Sequence, residues 1–470
     1  MKKLSNFYAL IATALFACSL MLTGCSSPAA SPSSSSDPVT APAPTGGTAG
    51  GTTGGTTGGS NGGSTGGTTS GITLPALDPE MLRTPLTLEA KKACDVNIKN
   101  PWLNKLKIKK NDDALLLTSA NVTENPYVVS LNAGDKLEFT VASDGSGNGN
   151  TLLTITCSDE CYVFGNVMSL LYESFNDASV ITTEKALKSL FFNNNNIINH
   201  PSKTLVLPAT SLKKSCYESM FKGCSKLEKA PELPATNLEE YCYCSMFENC
   251  PSLKDVFALP AMTLKDYCYD TMFRNCSELV RVPQLPATSL AIYCYRNMFS
   301  GCVKLTDVSA LPATVLVQSC YASMFYDCSS LENAPEISAT TLAKTCCEGM
   351  FMSCIKLKNV PALSAANLAD YCYRGMFSGC IELENGPDIV CENVATGAFI
   401  SMFQNCVKLK SLKCLAVYTE GNFSSFAAGW MENVQTISGT FIKSPSMNNW
   451  ATGISGIPEH WDVQDASASN

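Results

Sequence analysis

A Met-Phe pair recurs at 220/221, 246/247, 272/273, 298/299, 324/325, 350/351, 376/377 and 402/403, always at an interval of 26 residues. Two further columns keep the same step. One is Cys224, Cys250, Cys276, Cys302, Cys328, Cys354, Cys380 and Cys406; the other is Leu227, Leu253, Leu279, Leu305, Leu331, Leu357, Leu383 and Leu409. A second cysteine column runs from Cys216 to Cys372 and ends where Ala398 replaces it. Self-similarity at a fixed period of 20–50 residues marks a chain built from stacked units, because no single unit can bury its apolar side alone.

One copy reads as a coil. Leu212, Cys216, Met220 and Phe221 fall at i, i+4, i+8 and i+9, the inward face of a short helix. Thr210 and Thr236 stand just before it as N-caps, and Glu239 completes a capping-box pattern with Thr236. Leu227, Ala230 and Leu233 follow as an extended run, stopped by Pro234, Pro260, Pro286 and Pro312 in four copies. Phe192, Asn195 and Ile198 read as a degenerate first copy, offset by three residues near His200. The expected fold is an α/β solenoid of 26-residue coils, leucine-rich-repeat-like, with parallel strands plus short helices.

The frame MFxxCxxLxxxPxLPATxLxxYCYxxMF resembles the BspA-like leucine-rich repeats of bacterial surface proteins. The resemblance covers about residues 165–415 and extends to cap-like segments at Phe164–Leu171 and Gly453–Trp461. It implies a surface protein that binds or adheres through its repeats. Cys347 in the tyrosine column, and Ser338 and Ser364 in place of proline, depart from the frame at single positions.

Upstream, Lys2 and Lys3 precede an apolar run from Tyr8 to Leu22 that is too short for a mature membrane helix, the pattern of an export signal. It ends in Leu22-Thr23-Gly24-Cys25, which resembles the lipobox of bacterial lipoproteins. That resemblance implies cleavage after residue 24, acylation of Cys25 and a lipid anchor in the outer membrane, with the chain at the cell surface. Residues 25–83 are a Ser, Pro, Gly and Thr linker with almost nothing to bury, expected to be disordered. Residues 84–165 carry short alternating runs separated by turn residues, and these predict a small all-β sandwich module. Residues 166–204 are read as the N-terminal cap with the degenerate copy, 205–415 as the solenoid and 416–470 as the C-terminal cap.

Of the 24 cysteines, nineteen lie between 216 and 414. The same cysteine in every coil reads as a small core residue. Disulfides between coils stay open, and a metal site lacks the C-x₂-C pairs it would need. Cys157 and Cys161 form a candidate disulfide at a hairpin end, with free thiols as the alternative; Cys94 has no assignable partner. Outward columns supply the candidate binding residues: Lys229, Asp255, Arg281 and Asp307 on the strand side, and Tyr267 and Tyr293 on the helix side. The charge column is read first as register support and solubility, and the tyrosines first as packing between coils, with a repeated binding face as the functional alternative. A net charge of −8 argues against nucleic acid, and two distant histidines, His200 and His460, argue against His-based catalysis or metal binding. No catalytic motif stands out. The expectation is a monomeric, non-enzymatic adhesion protein without cofactor. Its membrane contact is the N-terminal lipid, and its partner an extracellular protein or glycan. A structural stalk, or a glycan-binding β-module, is the alternative.

Overall fold

The computed structural model describes residues 75–100, 106–117, 122–141, 153–418, 421–448, 450–453 and 456–467. The signal segment, Cys25, the linker up to residue 74 and the 144–149 turn lie outside the described residues. The described residues all belong to one compact unit.

A short helix α1 (Pro79–Arg83) opens the unit, its first N–H groups capped by the Asp78 carboxylate. Eight strands follow: β1 (Leu86–Ala90), β2 (Cys94–Lys99), β3 (Leu106–Lys110), β4 (Asp113–Leu116), β5 (Tyr127–Leu131), β6 (Lys136–Val141), β7 (Thr154–Cys157) and β8 (Cys161–Asn166). They divide between two sheets. One has the order β5-β2-β7; the other runs β8-β1-β6-β3-β4 and is antiparallel throughout that stretch. β8 is the seam. On one side it pairs antiparallel with β1, and on the other it pairs parallel with β9 (Ile197–Asn199) and β10 (Leu205–Val206), which begin the repeats. Gly165 within β8 sits at φ +88, and a Cβ there would collide with the Pro85 carbonyl. Only glycine fits this crossing.

The repeats stack in parallel, one coil to the next. Backbone bridges join Lys229 to Asp255, Arg281 to Asp307 and Asn333 to Asn359, and a second ladder joins Ser211 to Asn237, Thr263 to Ser289 and Val315 to Thr341. In the first ladder Pro231 and Pro283, two residues beyond bridged Lys229 and Arg281, remove N–H groups that would extend the pairing. From the coil that holds Pro387 the ladder becomes continuous, with an irregularity in register at that proline. There β11 (Asn385–Ile389), β12 (Ser411–Cys414), β13 (Thr440–Lys443) and β14 (Asp462–Asp465) form a parallel sheet.

The expected short helices are absent from the described repeats; besides α1, the described residues hold only a 3₁₀ turn (Val167–Leu170) and α2 (Phe423–Ala427). Each coil instead runs as a ribbon of linked turns. Cys216, Glu218, Met220, Lys222 and Cys224 donate their N–H groups to carbonyls three residues back in the same coil. Ser215, Tyr217, Ser219, Phe221 and Gly223, which alternate with them, donate to the next coil at 2.8–2.9 Å. A helix would keep every N–H at home. Every fourth residue takes positive φ: Ser215, Ser219 and Gly223, then Tyr241, Ser245 and Asn249, and so along the stack. Inward side chains therefore recur in pairs four apart, Cys216-Tyr217 and Met220-Phe221, all buried. The same ribbon corrects the first copy. Lys185, Ser189 and Asn193 take the positive-φ places, and Phe191, not Phe192, stacks on Phe221 at 5.6 Å.

Identical side chains meet their own kind. From Phe221 to Phe403 the rings stack at 5.3–5.7 Å, and Tyr217 to Tyr321 at 5.6–6.0 Å. Burying each such ring or leucine contributes about 1.5–3 kcal/mol. The cysteines do more than fill space. Cys250, Cys276, Cys302, Cys328, Cys354, Cys380 and Cys406 each aim the thiol at a phenylalanine carbonyl of the preceding coil, at 3.1–3.2 Å. Every described cysteine is a free thiol. Burial pushes Cys250, Cys302 and Cys406 up to about 12, which suppresses the reactive thiolate.

Two outcomes follow from this packing. Iodoacetamide at pH 8 should leave the repeat thiols of the folded chain largely unmodified and label them on denaturation without reductant; rapid labelling of the native stack would contradict the buried ladder. The buried hydroxyls of Tyr217, Tyr243 and Tyr269 find no hydrogen-bond partner among the described residues, and Phe399 occupies the same column without one. Tyr243→Phe should therefore leave stability within about 0.5 kcal/mol or raise it by up to about 1 kcal/mol. Urea unfolding measures this, and a loss beyond about 1 kcal/mol would show that the hydroxyl is satisfied.

Candidate binding surface

The two outward ladders named from the sequence lie on different parts of the coil. Lys229, Asp255, Arg281 and Asp307 sit at the bridge column, all exposed, with their backbones adjacent from coil to coil. Adjacent backbones do not bring their charges together: among the described residues no ion pair joins them. Coil-to-coil ion pairs form nearby instead: one position earlier at Lys254–Glu228 (3.5 Å) and Lys358–Glu332 (3.1 Å), and three positions earlier at Lys304–Glu278 (2.7 Å). These exposed pairs contribute at most about 1 kcal/mol each.

Tyr267 and Tyr293 belong to the turn ribbon. They stack with Tyr241 into a half-buried column, at 4.6 Å for 241–267 and 4.8 Å for 267–293. All three occupy positive-φ positions, at +59, +57 and +57. For a bulky L-residue that conformation costs about 1–2 kcal/mol. Coils with Ser215, Ser319 or Gly397 at this place avoid most of the cost.

A pair that the column reading did not single out organises this patch. The Arg296 guanidinium lies 4.5 Å from the Tyr293 ring centre and 5.6 Å from that of Tyr267. It also makes a two-pronged contact with Asp270, Nε to Oδ1 at 3.0 Å and Nη2 to Oδ2 at 2.7 Å. Asp270 is almost fully buried, and burial pushes its carboxyl up while the arginine fork opposes the shift. The arrangement recurs once: Arg374 pairs with Glu348 at 3.1 Å and lies over Tyr371. The signal was present in the sequence as opposite charges one period apart, three residues beyond a tyrosine.

Lys229 has a second setting. It lines a cleft of about 360 Å³ where the N-terminal sheets meet the first coils, together with His200, Lys203, Glu232 and Phe257. Lys229 lies over Phe257 at 5.4 Å, and Lys203 over Phe164 at 4.4 Å. His200 Nδ1 accepts the backbone N–H groups of Ser202 and Lys203, which leaves its proton on Nε2, and burial lowers its basicity.

The candidate pair Cys157 and Cys161 does not close a hairpin, since β7 and β8 belong to different sheets. Both are free thiols, and the sulfur in hydrogen-bond contact with Cys161 is that of Cys94, at 3.2 Å. Cys25 lies outside the described residues. Among the described residues no group of His, Cys, Asp and Glu is placed to hold a metal ion, and no helix is long and apolar enough to cross a membrane.

The chain matches no curated protein and no solved structure at a significant level. The family described as the BspA type leucine rich repeat region matches it in 6 copies, over residues 160–280, 245–384 and 323–445, which is more than half of its length. The 26-residue columns, the coil-to-coil stacking and this match agree: the chain belongs to the BspA type leucine-rich repeat family.

Proposed function

We propose that this chain is a lipid-anchored bacterial surface protein whose repeat solenoid binds extracellular macromolecules without catalysing a reaction. The observation that carries the reading is the Tyr241–Tyr267–Tyr293 column with Arg296. Residues held in costly conformations cluster at functional sites, and here three consecutive coils carry tyrosine at a place where Ser215, Ser319, Thr345 and Gly397 serve other coils and Tyr371 stands by itself. Tyrosine and arginine are also the side chains that concentrate binding energy at protein interfaces. The patch is rigid, half-exposed and central in the repeats. Arg281 and Asp307, exposed on the bridge column, are secondary contacts. The partner is a protein of a host or neighbouring cell.

A second reading is favoured by the cleft between the N-terminal sheets and the first coils. Lys203, Lys229 and the His200 Nε2–H form a donor-rich rim suited to a glycan carrying carboxylates, with the repeats acting as a spacer.

Tyr267→Ser and Tyr293→Ser separate binding from folding, because Ser215 and Ser319 already occupy that column. Arg296→Ala is a poorer probe, since it leaves Asp270 buried without its countercharge. The double serine variant should keep its urea midpoint and lose at least about 30-fold in adhesion to cells or matrix, the scale of a hot-spot loss of about 2 kcal/mol. Undiminished adhesion, or adhesion that instead depends on Lys203 and Lys229, would remove the solenoid from the role. Anchoring is tested separately: Cys25→Ser should shift the chain from the detergent phase to the aqueous phase after expression in a bacterium. A wild-type chain already found in the aqueous phase would overturn the lipid anchor.

A further inference from the structure

Three cysteines outside the repeats are buried together. Cys94 opens β2, Cys157 closes β7 and Cys161 opens β8. β2 and β7 are neighbours in the small sheet, with Val96 opposite Cys157, whereas β8 belongs to the large one. The chain crosses between sheets over Ser158–Glu160 and delivers the Cys161 sulfur into the space between them. There its Sγ lies 3.2 Å from the Cys94 Sγ, closer than two sulfurs in ordinary van der Waals contact.

The repeat thiols are arranged differently. Each cysteine of the later column points its S–H at a phenylalanine carbonyl, so its sulfur is held away from other sulfurs. Cys94 and Cys161 have each other. Cys157 has a further partner: the Asn194 side-chain amide donates to its sulfur at 3.5 Å. Asn194 is itself fixed by bonds to the Cys157 N–H and the Ile155 carbonyl.

We propose that Cys94 and Cys161 form a disulfide that ties the two N-terminal sheets together, with Cys157 remaining a thiol. The step is thiol–disulfide exchange with a disulfide oxidant such as oxidised glutathione. Cys94 and Cys157 are each 7% exposed and Cys161 is fully enclosed, so within the proposed pair the oxidant meets Cys94 first. The Cys94 thiolate attacks the oxidant, releasing one thiol and leaving a mixed disulfide. The Cys161 thiolate then attacks the Cys94 sulfur and expels the second thiol. Two S–H bonds break and one S–S bond forms; two electrons and two protons leave with the reduced oxidant. The link closes across a sequence separation of 67 residues. It also pins the start of β8, where Cys161 lies opposite Ile197 of the first repeat strand. The crosslink thus fastens the strand on which the stack begins, whatever the solenoid binds.

The test is peptide mapping of the native full-length chain. It is held in a glutathione redox buffer, denatured, alkylated without reductant and digested, and the peptides are weighed by mass spectrometry. The expected result is one crosslinked pair containing Cys94 and Cys161, lighter by two hydrogen atoms than the separate peptides, with Cys157 alkylated. Cys157→Ser should retain the same crosslinked pair. A Cys157–Cys161 link in the wild type, full alkylation of all three residues, or loss of the crosslink in Cys157→Ser would each overturn the assignment.

Discussion

The hydrogen bond from one coil's turn ribbon to the next is the interaction on which the repeats depend. Alternate N–H groups stay within the coil and the others leave it: Tyr217 donates to Cys242, Phe221 to Met246 and Gly223 to Glu248. No backbone donor in this stretch is stranded, which a buried chain cannot tolerate. The division also explains the conformation. To point every second N–H along the stack, the backbone must turn over every fourth residue, and that turnover is the positive-φ place. Once the register is set at 26 residues, identical side chains must face each other, and the phenylalanine and tyrosine stacks follow.

Much of this was legible in the sequence. The period, the buried columns and the parallel stacking of coils all follow from spacing. The local backbone did not, because Leu212, Cys216 and Met220 at steps of four suit a helix and a four-residue turn ribbon alike. What separates the two is the outward column Gly223, Asn249, Asn275, Gly301, Asp327, Ser353, Gly379 and Asn405. These are small or polar residues that tolerate positive φ at little cost, and a helix has no use for them. The same ambiguity misplaced the first copy, where Phe191 and Phe192 are indistinguishable by type and only the ribbon's register selects Phe191. In the candidate surface, sequence spacing gave the ladders of backbones but not the partners of side chains. Lys229 and Asp255 look like a pair, yet Glu228 and Lys254 make it, because a side chain's direction is fixed by local φ and ψ rather than by column.

The cysteines show one residue type put to two uses by geometry alone. In the repeats the chain needs a side chain small enough for the coil's inner corner and able to spare a proton for a carbonyl that already accepts one bond. The Phe221 carbonyl, for example, takes the Cys224 N–H from its own coil and the Cys250 thiol from the next. Burial then keeps these thiols protonated and inert. Between the N-terminal sheets no carbonyl is offered, and the sulfurs meet one another. Cysteine count therefore says little about redox chemistry in such a chain, whereas the identity of the atom each sulfur faces says a great deal.

This separation of roles has a consequence for how a surface of this kind can change. The inward columns are constrained by every neighbour, so a substitution there is felt in at least two coils. The outward positions are constrained only by their own coil and by the side chains one period away. Tyr241, Tyr267 and Tyr293 show the range available: the ribbon holds serine, threonine, glycine or tyrosine at the same place, and the backbone course is unchanged. Tyrosine adds strain locally, and three in succession recover part of it by stacking on one another and under Arg296. The lone Tyr371 has no tyrosine in a neighbouring coil to stack on and only Arg374 above it. A contact patch on such a stack is therefore expected to span consecutive coils rather than to be scattered, and the tyrosine–arginine column has that form.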